Sequence, residues 1–184
     1  MSINMKTTEL KSQNLLYKPP SREDYEVLRN TRPCDEFYLM VGESVDDHKY
    51  KTDEQFESNF VAALERDNYW YIFRGSEVIG VVFIHSINLT DKHGRYAVGI
   101  YHEANWNQGL GQEICKTVLA YAFDELGLHK VDLRVLEYNT RAIASYKKSG
   151  FIVDGRLREN AYINHRWHDD VLMSILSREY YALR

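Results

Sequence analysis

Cysteine is scarce in this chain, with only Cys34 and Cys115 present. One such pair makes no disulfide framework. No Cys-x-x-Cys or His-x-x-x-His spacing occurs either, so no metal site is expected. No apolar run approaches the roughly 20 residues that cross a bilayer. The polar N-terminal residues lack a signal-peptide core, and the expectation is a cytoplasmic protein away from the membrane. Excess charge is small: 23 Lys and Arg against 27 Asp and Glu give a net of −4. A general affinity for nucleic acid is therefore not expected. The 14 tyrosines suggest base stacking, but no basic groove accompanies them. Internal repeats and low-complexity linkers are also missing. At 184 residues the chain suffices for one well-buried core and not for two ordinary domains. Residues 1–184 therefore read as a single domain, with 1–12 loose.

The apolar share of 44% and charged share of 27% suit a soluble globular chain. Asn14 to Tyr17 reads as a short strand ending at Pro19 and Pro20. Ser21 to Asp24 opens like a capped helix, with Tyr25 and Leu28 as its apolar positions. The segment 35–50 has no clear period and reads as a loop or short helix covering a pocket. Thr52 to Gln55 starts another helix, with Phe56, Phe60, Ala63 and Leu64 on one face. The period then changes. Tyr69 to Phe73, a turn at Gly75-Ser76, and Val78 to Ile84 make a hairpin. Asp91 to Gly94 turns into a strand at 96–101. Lys130 to Val135 alternates strictly, Asn139 to Ser149 is a short helix closed by Gly150, and Phe151 starts another strand. A last strand spans about 167–176. The fold class is α/β with a mixed sheet: an antiparallel meander, then β-α-β-α-β-β with a central parallel step.

The stretch Trp106 to Gly127 is the centre of this order. It starts as a loop with Gly109 and Gly111, becomes a helix with Ile114, Val118, Leu119, Ala122 and Leu126 on one face, and stops at Gly127. A strand, a glycine turn and a helix leave backbone N–H groups unpaired at the helix N-terminus, where they suit a phosphate or pyrophosphate. Many helices begin this way and bind nothing. Two further pieces follow: Leu126-Gly-Leu-His-Lys130, and Asn139-Thr-Arg-Ala-Ile-Ala-Ser-Tyr-Lys-Lys-Ser-Gly-Phe151.

In these three pieces together the chain resembles the GNAT superfamily of acetyl-coenzyme A-dependent N-acetyltransferases. The likeness is greatest to the branch with ribosomal-protein and spermidine acetyltransferases, and it covers about 69–176. The resemblance implies acetyl-CoA as co-substrate. It places Gln108, Gly109, Leu110, Gly111 and Gln112 at the cofactor's diphosphate, the backbone of Ile100 and Tyr101 along its pantetheine arm, and Asn139 and Ala142 beside that arm. Asn139 is equally a helix cap. Tyr146 matches the family's general acid, and it also suits packing with Ile143. Asn107 stands where the branch usually has a glycine.

Acyl transfer from a thioester requires a neutral amine and a proton for the departing thiolate. Alkyl amines titrate near about 10.4, so a base is needed. Glu103 and Glu137, each past a strand end, are the candidates, acting through water; a solvated surface charge is the commoner fate of such residues. His102 is a weaker one. The acceptor is expected to be a small-molecule amine (a polyamine, an amino sugar or an aminoglycoside) or a peptide N-terminus. It would be attacked directly in a ternary complex, because no cysteine sits where a ping-pong nucleophile belongs. Acidic residues Asp35, Glu36, Glu43, Asp46 and Asp47 suit a polycation, or simply a solvated loop. The rival reading is a non-catalytic acyl-CoA-binding sensor, to which Asn107 lends support. Relatives are often homodimers, and Trp167, Tyr180 and Tyr181 suit either such a contact or the core.

Overall fold

In the computed structural model, residues 7–44 and 52–184 are described. The strands are β1 (Leu10–Lys11), β2 (Leu16–Lys18), β3 (Tyr69–Arg74), β4 (Glu77–Asn88), β5 (His93–Ile100), β6 (Lys130–Leu136), β7 (Ile152–Ile163) and β8 (Arg166–Leu176). They form one eight-stranded sheet in the order β1-β2-β3-β4-β5-β6-β8-β7. Every neighbouring pair is antiparallel except β5 and β6. The mixed sheet, its meander and its parallel step are those expected from the sequence.

The helices among the described residues are α1 (Tyr25–Asn30), α2 (Asp35–Val41), α3 (Asp53–Leu64), α4 (Leu110–Ala120), α5 (Thr140–Lys148) and α6 (Ser177–Ala182). The two faces of the sheet bury different helices. Ile114, Val118 and Leu119 of α4 pack on Val131, Leu133, Met173 and Ile175, all less than 3% exposed. Each such side chain contributes about 1.5–3 kcal/mol when fully removed from water. On the opposite face Leu28 and Phe60 cover Tyr71, Phe73 and Val78. The box expected at the start of α3 is present: Gln55 N donates to Thr52 Oγ1 at 3.3 Å, and Thr52 N donates to Gln55 Oε1 at 3.0 Å.

Three stretches differ from the sequence expectation. Residues 10–11, expected loose, pair with β2, and the turn between them is tied to α4. Ser12 Oγ donates to Glu113 Oε1 at 2.6 Å, and Asn14 N donates to the same oxygen at 2.7 Å. No local pattern announces a contact made 99 residues away. β4 continues to Asn88 and β7 to Ile163, because their partners β5 and β8 supply ladder bonds where the side chains do not alternate. The segment 35–50 begins as α2; its residues 45–50, with Asp46 and Asp47, lie outside the described residues.

Candidate functional site

The parallel step is short. β5 pairs with β6 only at His93↔Lys130, Gly94↔Val131 and Arg95↔Asp132. β5 goes on beside β4 as far as Gly80↔Ile100, while β6 goes on beside β8 as far as Leu136↔Asp170. The two strands therefore part after Arg95, and the β5 edge over 96–100 has no strand neighbour on that side among the described residues. A cavity of about 1050 Å³ occupies the split, with every residue of 96–100 in its wall. An unpaired strand edge in a cavity is a template for an extended ligand bearing amides.

The loop before α4 forms one end of the wall. Asn107 has φ +59 and Gly109 φ +78, both left-handed. Asparagine is the non-glycine residue that best tolerates this region, so the loop's backbone path does not need a glycine at 107. A Cβ at Gly109 would meet nothing within 4 Å, which leaves open space beside the backbone. The first intrahelical bonds run from Gln112 N and Glu113 N to Gly109 O, each 3.1 Å. The amides of Leu110 and Gly111 precede them, at the positive end of the helix dipole.

α5 forms the adjoining side. Asn139 caps it: Ala142 N donates to Asn139 Oδ1 at 3.1 Å, and Asn139 Nδ2 reaches across the split to Met40 O at 3.3 Å. Tyr138 Oη donates to Leu39 O at 2.6 Å, so both residues tie β6 to the C-terminal carbonyls of α2. Tyr146 lines the cavity and, like Ile143, packs against the core, so the expected packing does not remove it from the cavity wall. Its ring meets Tyr96 edge-on at 6.2 Å and Phe151 at 5.8 Å. Burial, followed by the nearby Cys115, pushes the Tyr146 hydroxyl well above the usual phenol range. Burial also pushes the Cys115 thiol up to about 12.

Of the residues singled out from the sequence, Ile100, Gly109, Leu110, Gly111, Gln112, Asn139, Ala142 and Tyr146 share this wall. Tyr101, Gln108, Glu103 and Glu137 do not. Tyr101 N donates to Ile79 O at 2.8 Å and its carbonyl accepts from Cys34 N at 2.9 Å, so the protein itself engages that backbone. The Gln108 side chain accepts from Arg74 Nη1 at 3.0 Å and donates to Ala104 O. Glu103 starts an exposed 3-10 turn, and Glu137 is ion-paired with Arg156 at 2.9 Å. The aromatics near the C-terminus divide by burial. Tyr180 is 7% exposed and stacks on Phe123, whereas Trp167 is 59% exposed.

Several wall residues were given no role from the sequence. Trp106 donates from Nε1 to Ile100 O at 3.0 Å, closing the last carbonyl of the split edge, and the Arg141 guanidinium lies 3.6 Å over its ring. Phe37 seats against Gly99, where a Cβ would come within 2.5 Å of its ring. Arg95, Arg134 and Asp170 also line the wall. Alternation along β6 and β8 was the available signal, because it sets Arg134 and Asp170 on the face opposite the buried Leu133, Val135 and Val171.

A family model described as an acetyltransferase (GNAT) domain matches residues 14–152. The spermidine N(1)-acetyltransferase of Vibrio cholerae is 32% identical over 103 residues, which is 56% of this chain and 59% of that protein. The chain thus spans about three fifths of the length of that relative. A probable N-acetyltransferase of Bacillus subtilis, YjcK, is 27% identical over 169 residues, 90% of this chain and 87% of that one. Among solved structures, the Vibrio cholerae spermidine N-acetyltransferase in complex with CoA and spermine superposes with a TM-score of 0.77. It covers 92% of this chain and 99% of that one at 22% identity, a likeness of fold.

Proposed function

The chain belongs to the GNAT acetyltransferase family, and from that premise we propose that it transfers the acetyl group of acetyl-coenzyme A to a primary amine, by direct attack in a ternary complex. One observation carries the reading. The unpaired β5 edge over 96–100, the first-turn amides of α4 and Tyr146 all line one cavity. The donor set suits coenzyme A. Amides at 109–111, with Gln112 beside them, offer hydrogen bonds and partial positive charge to a diphosphate. The strand edge ending at Ile100 offers donors and acceptors to the amides of a pantetheine arm, and Asn139 and Ala142 flank it.

When bound, acetyl-coenzyme A supplies the activated acyl group. Tyr146 holds its proton at neutral pH, because burial disfavours the phenolate, and it serves as the acid for the departing thiolate. The buried, high-pKa Cys115 is a poor nucleophile, and Cys34 lies outside the wall, which supports direct attack over an acyl-cysteine. Glu103 and Glu137 enter this scheme only through intervening water. The amine acceptor is a polyamine, an amino sugar or aminoglycoside, or a protein N-terminus; polyamine acceptors draw support from the relatives named for spermidine.

The test is coenzyme A release in the presence of a panel of amines, together with calorimetric binding of acetyl-coenzyme A. Turnover of at least one amine, lost in Tyr146→Phe with binding retained, is the expected outcome. Binding without turnover of any amine favours a non-catalytic sensor.

A further inference from the structure

The charges around the cavity are not those of a polycation site. Among the described residues in its wall, the charged groups are Arg95, Arg134, Arg141, Lys148 and a single acid, Asp170. Arg141 and Lys148 belong to α5, next to the α4 loop. The other three lie on the opposite face of the sheet, where the register sets Arg95 beside Asp132, Arg134 beside Leu172, and Leu136 beside Asp170. Arg95 is neutralised, since its Nε lies 2.5 Å from Asp132 Oδ1.

Arg134 and Asp170 remain. Arg134 is exposed and has no ion pair or side-chain hydrogen bond among the described residues. Asp170 is only 9% exposed, and its one side-chain partner among the described residues is Asn160, whose Nδ2 donates to Oδ2 at 2.7 Å. A carboxylate removed from water without a cation is costly, and a cationic ligand offsets that cost. The two residues are diagonal neighbours across β6 and β8, about 7–8 Å apart by backbone geometry, a spacing that one small molecule bridges. His85 lies in the same wall. Burial first, then Arg95 and Arg134, hold its imidazole below the ordinary value against the pull of Asp132, so it adds a hydrogen-bonding group and no charge at neutral pH.

We infer that the acceptor is an amine that also carries an anionic group, with Asp170 receiving the amine and Arg134 the carboxylate or phosphate. The inference rests on the acetyl-transfer reading and narrows its substrate class. A polyamine would set further ammonium groups against Arg134 and gain nothing from it.

The experiment measures kcat/KM by coenzyme A release for matched pairs. Glucosamine 6-phosphate is compared with glucosamine, and the dipeptide Ala-Glu with Ala-Gln; spermidine serves as the polycation. At least one anionic member is expected to exceed its neutral twin tenfold or more and to exceed spermidine, and the winning pair identifies the anion. Arg134→Gln is expected to shrink that ratio below threefold, mainly through KM, with Arg134→Lys recovering part of it. Lys130→Gln, a cation outside the cavity, leaves the ratio in place. Asp170→Asn raises KM for both members of a pair. Spermidine as the best acceptor, equal turnover of the twins, or a ratio unmoved by Arg134→Gln overturns the inference. Turnover of neutral twins alone removes only this inference. Absence of turnover with every amine removes the transfer reading together with it.

Discussion

The two sides of the split differ in what they are made of. The side formed by the α4 loop, α5 and the β5 edge presents chiefly main-chain groups, amides at 109–111 and the edge over 96–100, and the Asn139 side chain links it to the other side at Met40 O. The side formed by α2, β6 and β8 presents side chains: Phe37, Met40, Arg134 and Asp170. Under the proposed function, the main-chain groups recognise what is common to every acylated coenzyme A. The side chains, which change without disturbing the backbone, then decide which amine is accepted. Variants on one side should therefore move cofactor affinity, and variants on the other acceptor selectivity.

The largest effect is expected at the junction. Tyr146→Phe should lower kcat by on the order of 10²–10⁴, the usual worth of a positioned proton donor, with acetyl-coenzyme A affinity little changed by calorimetry. Its pH signature follows from sign. Burial raises the Tyr146 pKa above that of a free phenol, so the acid stays protonated as pH rises. The kcat profile should show no loss assignable to Tyr146 below about pH 10. An alkaline limb near about pH 8 that disappears in the phenylalanine variant would contradict the raised pKa, while kcat unchanged in that variant would contradict the acid role.

Next comes Gly109→Val. A β-branched residue at φ +78 costs about 1–3 kcal/mol and places a side chain where the backbone is open. Acetyl-coenzyme A binding should weaken tenfold or more while acceptor preference holds. Asn139→Ala should cost about 1 kcal/mol of stability in urea unfolding, as a lost cap does, and the broken link to Met40 O should raise acceptor KM. An unchanged acceptor KM would separate the cap from the site.

The smallest effect concerns acid stability. Burial works against ionisation of Glu113, but hydrogen bonds from Asn14 and Ser12 outweigh it and lower its pKa. Its contribution is present above the unfolded value, about 4.3, and is lost as pH falls through the lower folded value. Glu113→Gln should therefore flatten stability against pH below about 4.3, read by thermal melts.

The same contrast explains what the residues disclosed before any coordinates. Gly109, Gly111, Gly127 and Asn139 mark backbone geometry, and only a few residue types meet such demands, so α4, α5 and the cofactor side were readable. For Asp170, alternation along β8 indicated only the face. Its place depends on β8 pairing with β6 and on β6 leaving β5, neither of which is a local property. Glu137 had the right residue type at a strand end, yet Arg156, brought over by β7, engages it. Trp106, which opens the glycine loop, caps the split edge through Ile100 O, a contact that no local pattern announces.

The most direct test of the central claim is amide hydrogen exchange with and without coenzyme A. The split-strand account predicts added protection within 96–100 and at 109–111, with little change along β3 or β7. Coenzyme A binding that leaves both stretches exchanging as before would contradict it.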